Sequence, residues 1–80
     1  DFTEQDRQIC QNFLSILPLL DFSSPEKLRS TLLEVWPNKE QYRIIRKALS
    51  GKSQGIELHN ILYILGEEKT KERIKKLSGG

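Results

Sequence analysis

The sequence predicts an all-α fold: a compact, antiparallel bundle of five to six helices. Three observations carry that expectation. Apolar residues recur at helical spacing in successive segments, and capping residues, prolines and glycines punctuate the chain between them. The connectors are only two to six residues long, too short for the crossover paths of a parallel sheet. With 80 residues, 36% of them apolar and 30% charged, the chain is near the lower size at which one core suffices without staples.

Thr3 is placed to cap a first helix, with Asp6 at the reciprocal capping-box position. Ile9, Cys10, Phe13, Leu14, Ile16 and Leu17 follow as its apolar stripe, and Pro18 bends or ends it. Leu19, Leu20 and Phe22 form an apolar connector expected against the core. Ser23-Ser24-Pro25-Glu26 then supplies a hydroxyl cap, a first-turn proline and an acidic first turn for a second helix. Its stripe is Leu28, Leu32, Val35 and Trp36, with Lys27, Arg29, Ser30 and Glu34 facing elsewhere, and Pro37 stops it. Asn38 is expected to cap a third helix, with Gln41 at the box position. Tyr42, Ile45, Ala48 and Leu49 are its buried stripe, and Ser50-Gly51 its end. After the Gly-rich loop 51–55, a fourth helix runs from about Ile56 to Leu65 and is stopped by Gly66. A fifth, 67–77, has only Ile74 and Leu77 as apolar anchors and is expected to be solvated and frayed.

Residues 1–77 read as a single helical interaction domain, and 78–80 as a flexible linker or cloning remnant. The chain opens on Asp1 and contains no methionine, as a domain cut from a longer protein or a processed product would.

Chemistry is sparse. Cys10 is the lone cysteine, so no internal disulfide can form, and its apolar neighbours make it a core residue. His59 is the single histidine, read as a boundary residue, and no metal or cofactor site is expected. No base, nucleophile and pocket can be assembled from these groups, and the domain is expected not to be an enzyme. Gly51-Lys52-Ser53 resembles the end of a phosphate loop, but Arg46 stands where that motif needs its first glycine, and a helix precedes it. No stretch approaches the ~20 apolar residues of a membrane span, and no leader is seen, so a cytoplasmic location is the expectation.

Charge placement is the strongest functional signal. Residues 1–35 hold six acidic and three basic groups, and residues 36–80 hold five acidic and ten basic ones. Lys39, Arg43, Arg46 and Lys47 recur at intervals of four, three and one, on the helix face opposite Tyr42, Ile45 and Leu49. Such an arc is a solvated surface, an interface for an acidic partner, or a phosphate-contacting face.

The segments Phe13-Leu14-Ser15-Ile16-Leu17-Pro18, Lys27 to Leu33 and Ile61-Leu62-Tyr63-Ile64-Leu65-Gly66 resemble bacterial death-like, effector-associated adaptor domains. That resemblance implies a six-helix bundle, the sixth helix coming from a split near Leu17-Pro18-Leu19-Leu20. It also implies homotypic assembly in signalling or defence and no catalysis. The leading expectation is therefore a protein-binding adaptor whose partner includes another copy of itself. Lys39, Arg43, Arg46 and Lys47 would meet acidic residues of the amino-terminal half, Glu4 and Asp6 first among them. The alternative is a helical nucleic-acid-binding module that uses the same basic face.

Overall fold

A computed structural model describes residues 2–52 and 55–78. The chain forms α1 (Glu4–Ile16), a 3-10 turn (Leu17–Leu19), α2 (Pro25–Val35), α3 (Lys39–Ser50) and α4 (Leu58–Leu77). Among the described residues there is no strand, so the all-α expectation holds. The count differs: four α-helices stand where five to six were expected.

The first corner follows the sequence closely. Thr3 Oγ1 accepts the Asp6 amide at 3.1 Å while the Thr3 amide donates to Asp6 Oδ2 at 3.2 Å, closing a capping box. Pro18 does not begin a separate α-helix. It tightens the chain into the 3-10 turn, and the Leu20 amide closes on the Leu17 carbonyl at 3.1 Å. Leu17 and Leu20 are buried, but Leu19 is 62% exposed, contrary to the expectation that the whole connector lies on the core.

Ser24 caps α2, accepting the Lys27 amide at 3.1 Å. Asn38 occupies the cap position of α3 but its side chain makes no capping bond, so the box expected with Gln41 does not form. Gly51 ends α3 in the left-handed conformation, its amide bonded to the Lys47 carbonyl at 2.8 Å.

The core is organised around three rings. Trp36, the residue that closes α2, stacks on Tyr42 of α3 with ring centres 5.5 Å apart and meets Phe13 of α1 edge-on at 5.1 Å. Such pairs add about 0.5–1.5 kcal/mol beyond the area they bury. The Tyr42 hydroxyl donates to the Trp36 carbonyl at 2.7 Å, satisfying both buried groups. Cys10 lies within the same core, and burial pushes its thiol above the ordinary range, with Asp6 adding to the shift. It is therefore a packing residue held in the neutral form.

α4 packs against α1, α2 and α3. It is broken at Gly66, whose backbone (φ 82°, ψ 166°) lies in a region that only glycine enters readily. The break turns one apolar stripe into two differently directed ones: Leu58, Ile61 and Leu62 before it, Thr70 and Ile74 after it, all buried. The second arm is thus docked rather than frayed, and Gln11 Nε2 donates to the Ser78 carbonyl at 2.9 Å to hold its end. Thr70 Oγ1 is buried with no hydrogen-bond partner; the residue four back, whose carbonyl a helical threonine ordinarily uses, is Gly66 itself.

Two substitutions test this architecture. Trp36→Ala is expected to cost roughly 3–5 kcal/mol in urea unfolding, enough to unfold much of so small a domain. Gly66→Ala is expected to cost about 1–3 kcal/mol through backbone strain alone. No atom lies within 4 Å of the added methyl, so Gly66→Ser would lose a similar amount if strain is the cause.

Candidate nucleic-acid interface

The four cations of α3 border more than one surface. Successive residues turn about 100° around a helix, which spreads Lys39, Arg43, Arg46 and Lys47 over an arc of about 100°. Each edge of that arc borders a different neighbour. Lys39 and Arg46 line a groove of about 280 Å³ whose opposite wall is Arg29, Leu32 and Leu33 of α2. Glu57, Leu58 and His59, at the start of α4, close its end, and Tyr42 contributes to it between Lys39 and Arg46. Arg43 lies on the α1 side, in a polar cleft shared with Gln5, Asp6, Asn38, Glu40 and Gln41. Lys47 stands over the Phe2 ring, its Nζ 5.7 Å from the centroid.

Lys39, Arg43 and Lys47 are exposed, whereas Arg46 and His59 are half-buried. Half-burial leaves the Arg46 side chain less free than those of its exposed neighbours. The groove therefore gathers three cations from two helices beside one carboxylate and one imidazole, over a floor of leucine.

The acidic residues expected to complement this face, Glu4 and Asp6, lie in the first turn of α1. Asp6 is half-buried and occupied in the α1 capping box, and Glu4 is an exposed residue of the first turn of that helix. Both carboxylates favour the positive end of the α1 dipole. Asp6 also lies on the same cleft as Arg43, so acidic and basic residues meet within one molecule here rather than on opposite surfaces.

Sequence reasoning missed Arg29, Glu57 and His59 as members of the groove. Arg29 alternates with the α2 core stripe and reads as solvated, and Glu57 and His59 read as the polar side of the fourth helix. Only the packing of α2 and the start of α4 against α3 brings them beside Arg46. Among the described residues, no three His, Cys, Asp or Glu side chains gather as metal ligands, and no helix is long and apolar enough to cross a membrane.

The family described as "Anticodon binding domain" matches residues 2–78, nearly the entire chain, and the chain belongs to that family. It is also similar to the glutamate–tRNA ligase of Fusobacterium nucleatum, at 48% identity over 33 residues that make up 41% of this chain and 6% of the ligase. No solved structure matches.

Family membership corrects the sequence-based expectations of function. The resemblance to death-like adaptor domains was one of helix spacing, which unrelated bundles share, and the family match over residues 2–78 overturns it. With it go the protein-binding adaptor role, self-association in signalling or defence, and the preference for a protein partner over nucleic acid. The alternative reading, a helical nucleic-acid module, is the one the family supports.

Tyr42 gives the α3 side of the groove a pH signature. Burial raises its phenol above the ordinary value of 10.0, because the buried ring disfavours the charged form. The unfolded chain releases that proton at lower pH than the folded one. The stabilisation is therefore fully present below pH 10 and is lost as pH rises through the raised folded value. Tyr42→Phe is expected to cost about 0.5–1.5 kcal/mol at neutral pH through the lost bond to Trp36. The variant should lose less stability than the parent above pH 10, as urea titrations at several pH values would show. Parallel curves for the two proteins would mean that other groups set the alkaline limit.

Proposed function

We propose that this domain binds the anticodon region of a transfer RNA, as the non-catalytic RNA-reading part of a cytoplasmic ligase that charges tRNA with glutamate. The observation that carries the reading is the convergence of Arg29, Lys39 and Arg46 on one groove in a chain of the anticodon-binding family. The similarity to a glutamate–tRNA ligase supports the amino acid named.

The groove suits an RNA loop physically. Arg29, Lys39 and Arg46 supply cations to backbone phosphates, and an arginine fork can engage two oxygens at once. Unpaired loop bases expose their pairing edges and faces, which a protein reads by hydrogen bonding and stacking. Glu57 adds an acceptor among the cations, able to take an exocyclic amino group of a base, and His59 adds a ring and a second polar edge. The cleft on the α1 side, with Asp6 and Glu40 beside Arg43, is less suited to phosphate.

Titration of a labelled glutamate-tRNA anticodon stem-loop at several salt concentrations tests this. Three phosphate contacts predict a log–log salt slope of roughly −2 to −3. Lys39→Gln is expected to weaken binding and to reduce the slope by roughly one. Arg46→Glu is expected to abolish binding while leaving circular dichroism intact, and Arg43→Gln to change little. An Arg43→Gln loss as large as that of Lys39→Gln would move the interface to the other side of α3.

A further inference from the structure

We infer that Arg73, which lies outside the basic groove, is a positioning residue that fixes the groove's far end by clamping the carboxyl terminus of α3. The inference rests on the RNA-binding reading of the groove.

The last carbonyls of a helix have no partner within it. At the end of α3 two of these find partners. The Lys47 carbonyl accepts the Gly51 amide at 2.8 Å. The Leu49 carbonyl accepts Arg73 Nη1 at 2.8 Å, a donor brought from 24 residues away on the second arm of α4. A guanidinium there is also favoured by the negative end of the helix dipole.

A second observation connects Arg73 to the loop itself. It lines an apolar cleft with Leu49, Ile56, Ile61, Ile64 and Leu65. Ile56 immediately precedes Glu57, which with Leu58 and His59 closes the groove. Arg73 therefore bonds the last turn of α3 at Leu49 and shares a cleft with Ile56, from which the chain returns towards the groove. Arg46, the half-buried cation of the groove, is less than one turn before Leu49 on the same helix. Losing the clamp frees the Leu49 carbonyl and loosens the segment that presents Glu57 and His59, without removing any group from the groove.

The test uses Arg73→Gln in the 80-residue chain, with two readouts. Amide hydrogen exchange of the RNA-free protein is expected to accelerate at residues 50–52 and 56–59 while the middle of α3 stays protected. Stem-loop affinity is expected to fall at least roughly fivefold, the low end of coupling between a remote contact and a binding site. The salt slope should stay at the parental value, because no phosphate contact is lost. A reduced slope would overturn the inference by making Arg73 a direct phosphate ligand. Unchanged affinity with accelerated exchange would overturn it by making the clamp purely structural, and unchanged exchange would overturn it whatever the RNA does. Absence of stem-loop binding by the parent would instead sink the RNA reading of the groove, and the exchange data would still decide the clamp. If the glutamine variant fails to fold, Arg73→Lys, which retains a cation at the helix end with a shorter, single-headed donor, is read in the same way.

Discussion

The bond from the Tyr42 hydroxyl to the Trp36 carbonyl is the constraint on which the arrangement of this domain depends. Pro37 stops α2, and only Asn38 then separates it from the start of α3, so the angle between these helices is set within three residues. The stacked rings of Trp36 and Tyr42 fix that angle through their faces, and the hydroxyl fixes it along the chain. Phe13 presses on the same indole and carries α1 into register. The basic groove is the space left on the solvent side of this corner, which is why one wall comes from α2 and the other from α3.

Much of this was legible in the residues, for local reasons. The Thr3–Asp6 box, Pro25, Pro37 and the Gly51 cap act within a few residues of themselves, so the bounds of α1, α2 and α3 follow from short-range rules. The buried set of Phe13, Leu28, Leu32, Trp36, Tyr42, Ile45 and Leu49 followed from helical period. The fate of 67–77 did not. Two apolar anchors look too few to dock a helix, yet Thr70 is wholly buried beside Ile74 and Arg73 reaches back to Leu49. Thr70 and Ile74 do share a face at helical spacing, but a lone threonine reads as polar, and the reach of Arg73 to Leu49 belongs to the pairing of two elements. Gly66 separates two helical segments, as the sequence predicts, but the direction in which the second leaves it has no local signature.

The functional site was legible only in part, and for an instructive reason. Periodicity places Lys39, Arg43, Arg46 and Lys47 on the outer side of α3, and all four do lie away from its core stripe. What periodicity lacks is the identity of the neighbours at the two edges of the arc. α2 and the start of α4 meet one edge and α1 meets the other, so residues adjacent on a helical wheel serve different surfaces. A charge count over each half of the sequence suggested two complementary patches. In the folded chain Asp6 closes the capping box of α1 and also lies on the Arg43 cleft. The general pattern of a short helical bundle likewise resembles more than one family, and the match over residues 2–78 is what separates them.

A straight helix of 20 residues would measure about 30 Å, as long as the 31 Å greatest extent of the molecule. Such a rod could lie along one side of the other three helices but could not curve around them. The bend at Gly66 changes a rod into an elbow, and the forearm returns to the end of α3 instead of projecting past it. Curvature supplied at one residue has a further effect: neither arm imposes its helical phase on the other, so each turns its own buried residues to the core. The upper arm presents its start to the groove, while the forearm reaches back to the carbonyl at the end of α3 and is tied to α1 through Gln11.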